Sequence, residues 1–276
     1  MSIPNDAQFN YPQLVINLHK MRHNVRFITS LCQKYGINVT GVIKGTNAIT
    51  ECVKVFEEEG CNRIASSRIE QLCDVKKAGI KKPLVLIRTP MLSEVKRVIE
   101  TVDISLNSEL SVLKSLNQEA HRQSKIHRVV LMVDLGDLRE GFWDTEQLTS
   151  VAKAVEFEMT NLVLEGIGAN LGCYGAILAT REKLEELVAA AEKIEEAINR
   201  RLNTISGGAT SSFIRVLRGD IPDRINSLRI GGALLNPRTL EVYHGCIVNE
   251  LYKDVYTLNA EVIEANVKPT HPIGEI

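Results

Sequence analysis

The feature that most constrains the fold is a regular alternation of short apolar segments with longer amphipathic ones. Eight of the short segments are rich in β-branched residues and are typical of buried strands, and each is followed by a crossover. We predict these strands at Val39–Lys44, Arg63–Ser66, Pro83–Ile87, Asp103–Leu106, Val129–Asp134, Leu162–Ile167, Thr204–Ser206 and Ser227–Ile230. Repeated strand-and-crossover units of this number predict an α/β protein, a parallel (β/α)8 barrel of the TIM type.

The crossovers show helical spacing of their apolar residues. The strongest pattern runs from Arg181 to about Leu202, where Leu184, Leu187, Val188, Ala191 and Ile194 fall on one face. Further helices are predicted at Ile49–Glu59, Ile69–Ala78, Leu92–Glu100 and Glu146–Glu158. These helices supply the outer layer that a parallel barrel requires.

Two pieces lie outside the eight-strand pattern of the barrel domain, which we place at residues 11–236 after a polar tail at residues 1–10. A strand at Leu14–Leu18 precedes a helix near Lys20–Tyr35, and we expect this strand to pair with a second domain. Residues 237–276 contain two strand-like stretches, Thr239–Val248 and Thr257–Val267. We therefore expect the beginning of a C-terminal β domain, truncated by the end of the sequence at Ile276.

Composition excludes several classes of function. The chain of 276 residues is 44% hydrophobic and 24% charged with a net charge of -1, which fits a folded protein without the basic surplus of a nucleic-acid binder. No apolar stretch is long enough for a membrane span, and the first ten residues do not form a signal peptide. The cysteines are scattered, so neither a zinc site nor a disulfide framework is indicated, and a cytoplasmic protein with reduced thiols is expected; they are Cys32, Cys52, Cys61, Cys73, Cys173 and Cys246.

A lone lysine, Lys44, ends the first predicted barrel strand. The carboxyl ends of barrel strands are where such folds collect their reactive groups. A lysine amine that is partly desolvated there loses its proton more readily and becomes nucleophilic, as imine chemistry requires. The alternative is a structural lysine whose ammonium simply extends to solvent from the strand end.

Glycine-rich loops follow the seventh and eighth predicted strands, where barrels often bind phosphate. The first loop is Ser206–Ser212 and the second is Arg229–Gly232. Glycine lets backbone N–H groups approach an anion closely, and the first loop adds hydroxyl groups at a helix N-terminus. A phosphate site is therefore predicted, although glycine and serine are also ordinary turn residues.

Three polar side chains are further candidates for this end of the barrel. Arg229 lies in an apolar strand, where a charge needs a partner, and an ion pair at the rim would explain it equally well. Arg139, after the fifth strand, is able to bind a carboxylate through two hydrogen bonds or to pair with Asp137 or Glu140. Asn170 ends the sixth strand, where it is either a site residue or a turn residue.

In this order, the strand-one lysine, the Arg-Glu-Gly-Phe loop at 139–142 and the Arg-Ile-Gly-Gly segment at 229–232 resemble the alanine racemase family of pyridoxal-phosphate enzymes. The nearest branch is that of the ornithine racemase-like predicted amino-acid racemases. Supporting segments are Tyr11–Leu18, Gly166–Gly175 and Ile205–Gly208. The resemblance covers nearly the whole chain from Tyr11 onward.

The resemblance implies a role for each site residue. Lys44 would hold pyridoxal 5'-phosphate as an internal aldimine and act as one of two bases, and Arg229 would donate to the pyridine nitrogen. The phosphate would be bound by Ser206, Thr210 and the backbones of Gly231 and Gly232. Arg139 would lie beside the phenolic oxygen of the cofactor and the substrate carboxylate, and Asn170 occupies the position of a family histidine near the ring. An amino acid is implied as the small-molecule substrate, and a homodimer is implied for a full-length form.

Some positions depart from alanine racemases proper. Met132 replaces a family lysine and Ala48 replaces a family tyrosine, which argues against alanine as the substrate. The second base of the family is a tyrosine just beyond a Gly-Glu pair like Gly274-Glu275, so a form ending at Ile276 is expected to lose most racemisation.

Three functions remain open from the sequence. The first is a pyridoxal-phosphate-dependent amino-acid racemase, with ornithine or another basic amino acid as substrate. The second is a single-barrel protein that binds pyridoxal phosphate without turnover, and the third is a cofactor-free Schiff-base aldolase. A carboxylate facing Lys44 would select a basic substrate, and Asp134, Asp137 and Glu140 are the candidates.

Overall fold

Eight parallel strands close into a barrel in the computed structural model, which describes residues 11–172 and 177–275. A ninth strand, β1 (Gln13–Ile16), precedes them. The barrel strands are β2 (Asn38–Val42), β3 (Arg63–Ser66), β4 (Leu84–Leu86), β5 (Ile104–Asn107), β6 (His127–Val133), β7 (Leu162–Ala169), β8 (Thr204–Ser206) and β9 (Ser227–Ile230). They pair in chain order, and β2 closes the barrel against β9 through the register Thr40 to Arg229. The predicted (β/α)8 barrel is confirmed.

Helices cover the outside of the barrel. They are α1 (Leu18–Lys34), α2 (Thr50–Glu58), α3 (Ile69–Lys77), α4 (Val95–Thr101), α5 (Leu110–Arg122), α6 (Thr145–Phe157), α7 (Arg181–Ile198), α8 (Thr210–Arg218), α9 (Gly232–Leu235) and α10 (Arg238–His244). The α7 helix ends earlier than the predicted Leu202 because Asn199 adopts a left-handed conformation with φ of 54°. Over these residues, no helix combines the length and the apolar content that crossing a bilayer requires.

The core has two layers, as the alternation of side chains along each strand requires. In β6, Val129 and Leu131 join the large cluster between strands and helices, whereas Val130 and Met132 join the smaller cluster inside the barrel. Val42 belongs to this interior cluster and ends β2 immediately before the Ile43-Lys44 pair. The interior packing therefore fixes the height at which Lys44 leaves the barrel wall.

The segment after the barrel differs from its sequence prediction. Thr239–Val248 was expected to be strand-like but contains the helix α10, so that prediction is wrong. Pro237 has a φ of -59° at the helix start and Gly245 has a φ of 62° at its end. A proline at the start and a glycine at the end favour a helix, although the residues between them include β-branched ones that favour a strand.

A two-stranded antiparallel sheet joins the two ends of the described chain. The strand β10 (Tyr256–Asn259) covers only the start of the predicted Thr257–Val267 stretch. It pairs with β1 in the register Gln13 to Asn259 and Ile16 to Tyr256. The early strand therefore pairs with the segment after the barrel, while the domain boundaries themselves stay a prediction.

Candidate active site

Lys44 lies at the carboxyl end of β2, where it begins a 3-10 turn over Lys44–Thr46. Its side chain lines two adjoining cavities of about 470 Å³ and 230 Å³, which also share Val42, Gly231 and Gly232. The residue is exposed in this chain, so the partial desolvation expected from the sequence is not observed. The amine is thus placed at the mouth, within reach of an incoming molecule.

The smaller cavity brings together most of the predicted site residues. They are Lys44, Arg139, Asn170, Thr210, Arg229, Gly231 and Gly232, which belong to five different segments of the chain. Among its described lining residues there are three cationic side chains and neither an aspartate nor a glutamate. A cavity of this charge favours a ligand with more than one anionic group.

Arg229 is buried within the barrel, with only 5% of its surface exposed. Its guanidinium donates to Ser206 Oγ at 2.6 Å, to the Ala169 carbonyl at 2.7 Å and to Asn170 Oδ1 at 2.6 Å. Burial lowers the pKa of Arg229 to about 10, with the charge of Glu140 opposing that change and the charge of Arg139 adding to it. The group therefore keeps its positive charge at neutral pH and points it along a fixed direction.

Ser206 has a different contact from the one predicted. Its hydroxyl accepts a hydrogen bond from Arg229, and the residue is buried. Ser206 is also not among the residues that line either cavity beside Lys44. Its binding of a phosphate stays a prediction, while the observed contact helps to orient the arginine.

The two glycine-rich turns pack directly against each other. Thr210 Oγ1, at the start of α8, accepts from the Ala233 backbone N–H at 3.2 Å. A Cβ atom at Gly232 would lie 3.3 Å from Thr210 Oγ1, and one at Gly231 would lie 3.1 Å from the Cβ of Val42. These approaches leave little room for side chains, so the turns present backbone beside Lys44, as an anion site requires.

The loop that carries Arg139 is held by its own backbone and by one carboxylate. Asp134 Oδ1 accepts from the N–H groups of Gly136 at 2.9 Å and Leu138 at 3.1 Å. Gly141 has a φ of 127°, and a Cβ there would lie 2.4 Å from the Asp134 nitrogen, so only glycine fits.

The three candidate carboxylates have other partners. Asp134 binds the loop backbone, and Asp137 accepts from the Ile177 N–H at 3.2 Å. Glu140 accepts from Asn170 Nδ2 and lies 3.9 Å from Arg139. None of the three lines the two cavities beside Lys44 within the described part of the chain.

Sequence reasoning missed two features of the site. One is the contact between Glu140 and Asn170, for which the neighbouring order of β6 and β7 was the available signal, because loops after adjacent strands meet. The other is that Leu14 and Tyr256, from the β1–β10 sheet, line the larger cavity. Cys173, Tyr174 and Gly175 of the predicted motif lie outside the described residues.

Comparison with known families agrees with this geometry. The family model for the alanine racemase N-terminal domain matches residues 16–238. The chain belongs to this family. It is 38% identical to the ornithine racemase of Acetoanaerobium sticklandii, over 96% of this chain and 74% of that protein. It is 34% identical to the lysine racemase of Thermotoga maritima, over 96% of this chain and 73% of that protein.

Solved structures support the fold. The alanine racemase of Clostridium difficile 630 in complex with cycloserine superposes with a TM-score of 0.69 at 18% identity, covering 92% of this chain and 67% of that one. At this identity the likeness concerns the fold alone.

Proposed function

We propose that this protein interconverts the enantiomers of an amino acid with a basic side chain, using pyridoxal 5'-phosphate bound at Lys44. The racemase activity follows from the family and from similarity to an ornithine racemase and a lysine racemase over 96% of the chain. The same two relatives support a basic substrate. They do not favour a pyridoxal-phosphate-binding protein without turnover. The homodimer is proposed from the family resemblance alone.

One observation carries the proposal about the cofactor. Lys44, Thr210, Arg229 and the Gly231-Gly232 turn line one cavity, which supplies an amine, a hydroxyl, a fixed cation and close backbone. These groups match the aldehyde, the phosphate and the ring nitrogen of pyridoxal phosphate. When bound, this cofactor withdraws electrons from an amino acid and makes its Cα proton acidic.

Arg229 determines whether the pyridine nitrogen of the bound cofactor would carry a proton. A guanidinium does not give up its proton near neutral pH, so it donates a hydrogen bond and leaves the ring nitrogen without a proton of its own. A neutral ring delocalises negative charge only weakly, which favours return of the proton to Cα over other reactions. Ser206, Ala169 and Asn170 hold this donor in position.

Lys44 and Arg139 complete the proposed chemistry. The Lys44 Nζ amine removes the Cα proton on one face of the substrate or returns it there. Arg139, across the same cavity, binds the substrate carboxylate and so fixes which bond at Cα faces the amine. The group that serves the opposite face is not assigned.

The test is to add pyridoxal phosphate, reduce with borohydride, and locate the modified lysine by peptide mapping. We expect the label at Lys44 and its loss in Lys44→Ala, with racemisation of ornithine or lysine lower by at least about 10³-fold. Lys54→Ala, an exposed lysine on α2, is the matched control and should keep both label and activity.

Two results would overturn the proposal. A label at another lysine would remove Lys44 from the reaction. The absence of any label, with no visible absorbance on adding pyridoxal phosphate, would favour a cofactor-free barrel instead. Because Lys44 is exposed, the Lys44→Ala protein should keep its circular dichroism spectrum, so lost activity would not reflect unfolding.

A further inference from the structure

A single amide lies between a carboxylate and the buried arginine of the site. Asn170 Nδ2 donates to Glu140 Oε1, and Asn170 Oδ1 accepts from Arg229 at 2.6 Å. Each end of the amide thus has a partner of the right polarity, which fixes the orientation of the side chain. Reversing the amide would place its NH2 group against the guanidinium and its oxygen against the carboxylate.

Arg229 otherwise contacts neutral acceptors. Its other two hydrogen-bond acceptors are a serine hydroxyl and a backbone carbonyl, so none of these hydrogen bonds joins it directly to a carboxylate. A buried charge needs compensation, and Glu140 is the anion whose charge opposes the effect of burial on the pKa of Arg229. The side chain of Glu140 is 15% exposed, so solvent screens it only partly.

Glu140 is placed behind the cavity rather than in it. Arg139, Asn170 and Arg229 line the smaller cavity, whereas Glu140 does not. Its carboxylate contacts two of these three residues, Asn170 by a hydrogen bond and Arg139 across 3.9 Å. It therefore supports groups that face a ligand without facing the ligand itself.

We propose that Glu140 is a positioning residue, which acts through the amide of Asn170 to hold and balance the guanidinium of Arg229. The reaction that it serves rests on the proposed function, but the link between the three side chains does not. Because Glu140 lies behind the cavity, is hydrogen-bonded to Asn170 and is only 3.9 Å from Arg139, removing its charge should affect kcat and cofactor binding more than KM.

The experiment compares Glu140→Gln, Asn170→Ala and the double variant with Glu146→Gln. Glu146 is an exposed carboxylate paired with Lys193, so it provides the same change of charge away from the cavities. We expect Glu140→Gln and Asn170→Ala each to weaken pyridoxal-phosphate binding by about 10-fold and to lower kcat by about 10-fold. KM should stay within about 2-fold, and the double variant should bind no worse than Asn170→Ala, because without the Asn170 amide the charge at position 140 has no link to Arg229.

A measurement without cofactor separates this inference from the proposed function. In the cofactor-free wild type, the Asn170 side-chain NH2 resonances should show the low-field shift and slow exchange of a hydrogen bond to a carboxylate. In Glu140→Gln, but not in Glu146→Gln, that low-field shift should become smaller, because a neutral amide oxygen is a weaker acceptor than a carboxylate. The wild-type spectrum decides the point even if the Glu140→Gln protein does not fold.

Three results would overturn the proposal. Resonances of a freely solvated Asn170 amide in the wild type would show that the link is absent. Equal behaviour of Glu140→Gln and Glu146→Gln in cofactor binding and kcat would show that the link does nothing. A raised KM for ornithine or lysine with unchanged kcat would make Glu140 a binding group for the substrate side chain.

Discussion

The two ends of the barrel accommodate an arginine in different ways. At the amino end, Arg63 from β3 reaches Glu165 of β7 with 2.5 Å between Nη2 and Oε1, and it lies 3.5 Å from Thr204 Oγ1. At the carboxyl end, Arg229 donates to a hydroxyl, a carbonyl and an amide, and its nearest carboxylate is held one side chain away. The charge of Arg63 is neutralised by direct contact with Glu165 and stabilises the fold. The charge of Arg229 is balanced only through an intervening side chain, so it remains able to attract a ligand.

A second titratable group at the amino end, His127, also has a structural role. His127 begins β6, is buried, and lies with Nε2 2.9 Å from Ser105 Oγ. Burial lowers the pKa of His127 to about 4, and the nearby charges of Arg128 and Lys125 act in the same direction. The ring is therefore neutral at physiological pH and serves the packing of the strand ends. We infer that the amino end carries stability and the carboxyl end carries activity, as barrel enzymes generally divide them.

The largest expected effect is on stability, at the amino end. Glu165→Ala would leave the Arg63 guanidinium, whose side chain is 20% exposed, without its anion and should lower the free energy of unfolding by about 3 kcal/mol, because a largely buried charge is costly without a partner. Urea unfolding followed by circular dichroism measures it. Glu146→Ala breaks the exposed pair with Lys193 and should change the same quantity by less than about 1 kcal/mol. A similar loss of unfolding free energy in the two variants would show that the Arg63–Glu165 pair does not stabilise the amino end of the barrel.

A reciprocal substitution tests the distinction through activity. Arg229→Lys should lower kcat by roughly 10²-fold, because a compact ammonium cannot reproduce three hydrogen bonds of fixed geometry and still face a ring nitrogen. Arg63→Lys, the same change at the amino end, should lower the free energy of unfolding and leave kcat within about 2-fold. Racemisation rates and urea unfolding on both variants make the comparison. An Arg63→Lys protein that is fully folded but has lost its activity would contradict it.

A smaller effect is expected from acid. The pKa of His127 lies at about 4 in the folded protein, below its ordinary value of 6.5, so the unfolded chain binds the proton more tightly. The stability that this histidine contributes is therefore present above pH 6.5 and is lost as the pH falls toward 4. Between pH 7 and pH 5 the wild type should lose roughly 2 kcal/mol more than His127→Gln does. Parallel unfolding curves at the two pH values, with equal losses, would show that the ring is not buried as described.

Much of the fold was accessible from sequence because a parallel barrel repeats one unit. Buried strands and amphipathic crossovers each have their own periodicity, and the order of strands follows from the order of units. The stretch around Thr239–Val248 was misassigned because its β-branched and aromatic residues outweighed Pro237 and Gly245, although those two residues set the helix ends. Local propensity was the weaker signal there.

The sequence predicted which residues lie together at the site, but it did not predict the hydrogen bonds between them. Lys44 and Gly231 were both predicted site residues, and they meet in the structure because the first and last barrel strands are adjacent once the barrel closes. The partner of Ser206 was not predictable, since a hydroxyl that accepts from an arginine and one that binds a phosphate look identical in sequence. The orientation of Asn170 likewise depends on coordinates, because only they place Glu140 on one side of its amide and Arg229 on the other.

The pairing of β2 with β9 has a consequence for how this molecule is assembled. Lys44 and the Gly231-Gly232 turn come from opposite ends of the barrel sequence. They share a cavity only when β2 is paired with β9. A chain in which β2 and β9 are not paired thus contains all of these groups but lacks the cavity that would bind a ligand. A ligand bound in this cavity would therefore add its binding free energy to the pairing of β2 with β9.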